Sequence, residues 1–211
     1  MAVTLSDARS NLVRERVLEA MAELLDRGED LTFSSVAKTA GVPERTLYRH
    51  FPTRQALLDA AFAWGNQRIG FDGQLPTDAA ALARLTRRVF PGFDGIAPVI
   101  RLLLAAPEGR VARLANKTAR QRTALALVAH EAPGLDRTST RRIAAMLQLL
   151  TAAATWHALS EYWDMDGAEA AEASVLAAEL ILEGTRARQS KKPRARKRAA
   201  GRRPRTKETF A

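Results

Sequence analysis

TFSSVAKTAGVPERTLYRHFPTR, residues 32–54, reads as two short helices joined by a tight turn and followed by the start of a third. Val36, Ala37 and Ala40 give the first helix an apolar face of small residues. Gly41 lacks a Cβ and accepts the positive φ that ends a helix. Val42 plugs the corner, and Pro43 presets φ for a new helix start. In the second helix Leu47 and Phe51 lie four residues apart and point the same way. At about 100° per residue, Arg45 and Arg49 project from the opposite side. Tyr48 lies between that side and the core, with Thr46 and His50 along the other edge. One side packs, and the other offers two guanidinium forks, a phenol, an imidazole and a hydroxyl. Such a face suits the major groove, where Arg pairs bidentately with guanine and polar side chains hold phosphates. The stretch is a helix-turn-helix.

The run Ala37, Ala40-Gly41-Val42, Thr46-Leu47-Tyr48, His50-Phe51 and Leu57 resembles the DNA-binding domain of the TetR (tetracycline-repressor-like) family of bacterial transcription regulators, over about residues 11–60. The resemblance implies that Thr46, Tyr48 and His50 contact an operator. It places Arg54 where the family carries a phosphate-binding Lys at the start of the fourth helix. Two features depart from the pattern: Pro43 replaces the usual Ser cap of the reading helix, and Arg45 and Arg49 fall at variable positions. Phosphate anchoring is therefore better supported than any particular operator sequence. The candidate DNA-binding set is Thr32, Ser34, Lys38, Glu44, Arg45, Thr46, Tyr48, Arg49, His50 and Arg54.

The 211 residues suit one compact helical unit or two small domains sharing an interface, and 46% hydrophobic content is enough for a core. With no Cys, thiolate catalysis, disulfides and Cys-based metal sites are excluded, and a reducing bacterial cytoplasm is the expected compartment. The N-terminus has no apolar signal core, and no apolar run reaches membrane-spanning length, so neither secretion nor membrane insertion is expected. The net charge of +10 is unevenly placed. From Arg186 to Ala211 there are 12 Lys/Arg against Glu208, or +11, which leaves −1 for residues 1–185. Basicity lives in a tail.

Outward from the helix-turn-helix, residues 1–10 read as a polar disordered arm with Arg9 able to reach a DNA groove. A first helix is expected over 11–27, with Val13, Val17, Met21, Leu24 and Leu25 as its buried stripe. Thr32 is the expected N-cap of the second helix and Thr53 of a fourth, over 54–69, which links the head to the second half of the chain. Residues 11–70 then form the DNA-binding domain and 71–189 a second helical domain, divided by Pro91-Gly92, Pro107, Pro133-Gly134 and Asp166-Gly167. The fold class is all-α: an N-terminal three-helix DNA-binding unit plus a C-terminal helical domain for ligand binding and dimerisation.

Periodicity leaves open whether the apolar interior of the second domain is closed core or pocket. The resemblance implies a pocket for a small lipophilic effector, with Leu85, Val89, Phe90, Phe93, Ile100, Leu104, Leu125, Met146 and Leu150 as candidate lining. The last two long helices, expected over 138–163 and 168–189, are apolar on more than one face. A helix apolar on two sides must bury both, and the simplest second partner is another copy across a two-fold axis. Met146, Leu150, Ala154, His157, Val175, Ala178 and Leu182 are the candidate dimer contacts. Two-fold symmetry predicts a palindromic operator on double-stranded DNA. Residues 190–211 have no periodicity and too few apolar side chains to fold alone; they would add non-specific DNA affinity.

No catalytic set is visible. His157 and Glu161 have ligand-capable spacing, and His130-Glu131 could join them, but there is no HExxH, phosphate loop or nucleophile elbow. No metal, cofactor or enzyme activity is expected. Two other readings stay open: an architectural DNA binder acting through the tail, and a helical small-molecule carrier or enzyme. Repression and activation also stay open, because one head can block or recruit polymerase.

Overall fold

A computed structural model describes residues 5–190, and every regular element among them is a helix. In chain order these are α1 (Leu5–Asp26), α2 (Phe33–Ala40), α3 (Glu44–His50), α4 (Arg54–Arg68), α5 (Ala79–Asp94), α6 (Ala97–Ala105), α7 (Pro107–Leu114), α8 (Lys117–Glu131), α9 (Arg137–Leu150), α10 (Ala153–Trp163) and α11 (Gly167–Ser190). The basic run over 191–211 and the first four residues of the arm lie outside the described residues.

The head matches the expected pattern closely. Val17, Met21 and Leu24 of α1 are buried against Val36, Ala37 and Ala40 of α2 and Leu47 of α3, with Phe51 closing the unit. Thr32 caps α2 by a reciprocal pair: its hydroxyl accepts from Ser35 N–H at 3.0 Å, while Ser35 Oγ accepts from Thr32 N–H at 3.0 Å. Gly41 takes φ 62° and donates to Ala37 and Lys38 carbonyls, ending α2 in the left-handed conformation its lack of a Cβ permits. Thr53 caps α4, its side chain accepting from Ala56 N–H. The arm differs from expectation: helix starts at Leu5, not near residue 11, because no glycine or proline interrupts 5–11 and Asp7 lies in the first turn.

The second domain departs further. Pro91-Gly92 does not break the chain; α5 runs through it to Asp94. Proline in the last turn forfeits one helical hydrogen bond. Phe90 and Phe93 on either side are buried, and Gly92 lets α5 lie against Ile69, where a Cβ would come within 2.8 Å of its Cα. The expected helix over 138–163 is two, α9 and α10, bent by 59° at Thr151-Ala152. Thr151 Oγ1 donates to Leu147 O at 3.2 Å and Thr155 Oγ1 to Leu149 O at 2.6 Å, so hydroxyls serve carbonyls freed at the bend. Breaks at Gly95 and Asn116, separating α5 from α6 and α7 from α8, carried no sequence warning in the expected division.

Helix α11 lies along α5, α8 packs on α9, and α4 packs on α7. Asp94 ties three helices: it accepts from Trp156 Nε1 at 2.9 Å and from Gly167 N–H at 2.7 Å. The buried side chains form two apolar clusters. One runs from the head through Leu57, Ala61 and Trp64 of α4 into α5, α6 and α10, and the other joins Leu82, Leu127, Val128, Ala144, Leu147, Ala178 and Leu182. No single helix among the described residues is long and apolar enough to cross a membrane.

Candidate nucleic-acid interface and the pocket behind it

Leu47 and Phe51, both fully buried, fix how α3 sits on the head. Glu44, Arg45, Tyr48 and Arg49 are consequently exposed, with Thr46 and His50 half-buried. Among the described residues no carboxylate pairs with Arg45 or Arg49, so their guanidinium forks are available to an outside anion. Pro43 occupies the N-cap position of α3 with no side-chain hydrogen bond, the consequence of its replacing a hydroxyl residue there. Ser34 and Lys38 are exposed on α2, and Thr32 is exposed at its start, its hydroxyl committed to the cap.

Three contacts that sequence spacing did not announce hold this face. Tyr48 stacks on Phe33 with ring centroids 4.6 Å apart and planes 14° apart, so the first residue of α2 fixes the phenol on α3. Arg14 of α1 lies over the Phe51 ring at 4.8 Å and donates from Nη1 to His50 O at 3.3 Å, placing a cation on the carbonyl end of the reading helix. His50 itself is held below the usual imidazole pKa, first by burial and then by repulsion from Arg49 and Arg14.

Arg54, at the edge of the head, is shared between two partners. Its Nη1 donates to Leu31 O at 3.4 Å, and its Nε lies 3.5 Å from Glu108 Oε1 on α7. Gln55 Nε2 also donates to Glu108 O at 3.1 Å. The start of α4 is therefore tied to the start of α7.

The other end of α4 borders a cavity of about 280 Å³. Phe62, Gly65, Asn66 and Ile69 supply the α4 wall. Of the expected lining, Leu85, Val89, Phe93, Ile100 and Leu104 are present. Phe90, Leu125, Met146 and Leu150 are not. Phe90 is fully buried, Leu125 and Met146 face outward, and Leu150 packs against the second apolar cluster. The inward face of α8 is Thr123, Ala124 and Leu127; Leu125 is one position, about 100°, away. The cavity also lies between the two clusters, touching Phe93 and Leu103 of one and Leu82, Leu127 and Leu147 of the other. Among the described residues, Arg113 and Arg120 are its only charged lining.

With this geometry in hand, comparison with known proteins is informative at the head. Residues 17–61 match the bacterial regulatory proteins of the tetR family. The head is thus a tetR-family domain. The matched stretch runs from Val17 in α1 to Ala61 in α4 and so contains the whole helix-turn-helix. The nucleoid occlusion factor SlmA of Marinobacter nauticus is 40% identical over 58 residues, 26% of this chain and 30% of that protein. SlmA of Vibrio cholerae is 41% identical over 49 residues, 22% of this chain and 25% of that protein. The chain thus spans under a third of the length of these relatives. The family match ends one residue before Phe62, where the cavity wall begins.

The remaining candidate residues, outside the matched head, scatter. Met146 and Ala154 are exposed, and Leu150 and His157 are half-buried. Val175, Ala178 and Leu182 are buried inside the chain, on the side of α11 that faces its own core, so they are not surface for a second copy. The opposite side of α11 carries Leu176 and Leu180, 57% and 58% exposed, which the expected contact set omits. Helical spacing marks a helix as apolar on two sides without saying which side is inward. His157 lies 3.6 Å from Glu161, and His130 3.8 Å from Glu131. Glu131 instead accepts from Ala79 N–H at 2.7 Å and pairs with Arg186. Among the described residues no three His, Asp or Glu side chains converge.

Proposed function

We propose that this chain is a homodimeric, ligand-responsive repressor that binds a palindromic operator in the bacterial cytoplasm and leaves it when a small lipophilic effector occupies the cavity. The observation that carries this reading is the double role of α4. Its first turn holds Arg54 at the DNA face, and its last two turns wall the cavity. A ligand touching Phe62, Asn66 and Ile69 bears directly on the element that sets the head. Such a ligand shifts the equilibrium only by its differential affinity for the DNA-competent and released states.

In this reading Arg45, Thr46 and Arg49 read base edges while Tyr48, His50 and Arg54 hold phosphates. Ser34, Lys38 and Glu44 border the groove. Glu108 is the fulcrum, since it links Arg54 and Gln55 to α7. Exposed Leu176 and Leu180 on α11, with Met146 and Leu149 on α9, support a two-fold helical interface. The domain division falls in the segment after α4, where Gly70 and Gly73 take positive φ. A bound dimer blocks polymerase by occupying its DNA, which favours repression. The occlusion role in the names of the relatives does not carry over, because the likeness covers only about a quarter of this chain and under a third of theirs.

The test is selection of bound sequences from a random DNA pool, with the full chain and a version ending at Gln189. One palindrome enriched by both is expected. Loss of enrichment on truncation would transfer DNA binding to the basic segment and defeat the reading.

A further inference from the structure

The cavity has a charged end. Its walls are overwhelmingly apolar, yet Arg113 of α7 and Arg120 of α8 both line it, and among the described residues no Asp or Glu does. Arg113 Nη1 and Arg120 Nε are enclosed without a hydrogen-bond partner. Among the described residues neither guanidinium makes an ion pair with a carboxylate. Both side chains are partly buried, so each charge still reaches water in part, but the enclosed nitrogens are left without a partner, which carries a cost. Lysine or histidine escapes by shedding its proton, but arginine keeps its charge in proteins. Burial pulls both guanidinium pKa values below the ordinary value, and for Arg113 the neighbouring Arg110 and Arg120 add repulsion. Two cations in one apolar lining, near enough that Arg120 acts on Arg113, would be relieved by an anion placed between them. Guanidinium forks match carboxylate oxygens bidentately, and such charge-assisted bonds are the strong ones. Thr123 and Gln148 line the same cavity and add neutral hydrogen-bonding groups.

We infer that the effector is an amphipathic anion, an apolar body with a single carboxylate-like end, whose body lies against Phe62, Val89 and Ile100 and whose anionic end is held by Arg113 and Arg120. The inference rests on the reading of the cavity as an effector site and specifies what that site selects. It also supplies a route to the DNA face. Arg113 lies near the end of α7, and Glu108 near its start touches Arg54 and Gln55. An anion drawing the two arginines together therefore acts on the helix that anchors the head.

The experiment is calorimetric titration of the full chain with decanoate, decanol and decyltrimethylammonium, matched apolar chains of negative, neutral and positive end, each below its micelle-forming concentration. Decanoate should bind about tenfold or more tighter than decanol, with the cation weakest. The double variant Arg113→Gln/Arg120→Gln should bring decanoate to the affinity of decanol and leave decanol unchanged. Arg142→Gln, at an exposed position outside the cavity lining, should change neither, separating the paired site from general surface charge. Equal binding of decanoate and decanol to the unaltered chain overturns the anion inference and leaves the pocket reading intact. So does a decanoate preference that survives in the double variant. Binding by none of the three overturns both. Decanol binding retained in the double variant shows that the cavity is still folded.

Discussion

Arg45 and Arg49 stand on the reading helix in open water, whereas Arg113 and Arg120 turn into an apolar chamber behind the head. The same side chain carries a different meaning in the two regions. On α3 the cations cost nothing to maintain, because water solvates them until nucleic acid arrives, and their value lies wholly in the complex. In the cavity one nitrogen of each is enclosed without a partner, and on the proposed reading their value lies in an anion that supplies one. The head is thus closely packed, and the chamber is, on the proposed reading, completed by its ligand.

The largest effect should come from breaking that packing contrast. Phe51 is fully buried beneath α3, so Phe51→Ala should destabilise the head by about 3–5 kcal/mol. Leu104, only partly buried and bordering the cavity, already has open space on one side. Leu104→Ala should therefore cost less than about half as much. Urea unfolding of both variants checks this; equal losses would mean that the chamber is packed as tightly as the head.

Next in size is the DNA face. Arg49→Ala should weaken operator binding by about 1–3 kcal/mol and relax preference at one base position. Arg54→Ala should weaken all sequences alike, with the log–log salt slope falling by about one. Titrations of selected and scrambled DNA at several salt concentrations separate the two. If Arg54→Ala changed base preference instead, its phosphate role would be wrong.

Smaller still, and opposite in sign, is the response of the chamber. Replacing Arg113 by leucine removes an enclosed unpaired charge and should stabilise the ligand-free protein by on the order of 1 kcal/mol. Arg45→Leu, in open water, should stay within about 0.5 kcal/mol. Thermal melts without ligand decide it. A destabilised Arg113→Leu would mean that the guanidinium is already well served.

The contrast also explains what could be read from sequence. Thr32, Gly41, Pro43, Leu47, Phe51 and Thr53 act on neighbours within a few residues, so caps, turn and buried stripe were legible. The chamber depends on residues brought together from α4 to α10, and its charged end joins Arg113 and Arg120 across the Asn116 break. Spacing gave Leu85, Val89, Phe93, Ile100 and Leu104 only as apolar positions; that they border a cavity follows from how their helices pack. It could not place Leu125 or Val175, since which side of a two-sided helix faces the core is decided by partners distant in sequence. The stacking of Phe33 on Tyr48 joins two different helices, α2 and α3, so spacing within either could not announce it.

The finest test concerns proton traffic at His50, where the two regions' logic meets on one residue. Burial, then Arg49, then Arg14 lower its pKa in the free protein, so it is more readily protonated in the unfolded chain than in the folded one. Its contribution to head stability is therefore complete above about pH 6.5 and declines as pH falls toward the lowered value. Binding runs the other way. A phosphate beside His50 offsets Arg49 and Arg14 and favours the imidazolium, so the complex takes up a proton. Operator affinity should then rise from about pH 8 to about pH 6, by less than about tenfold, while the free head becomes less stable over the lower part of that range. Anisotropy titrations at fixed ionic strength, beside melts of the free chain, should show the two trends diverge. His50→Gln should flatten both. If the variant kept the full pH dependence of binding, the proton would be entering elsewhere and His50 would be only the end of the reading helix that Arg14 holds by its carbonyl.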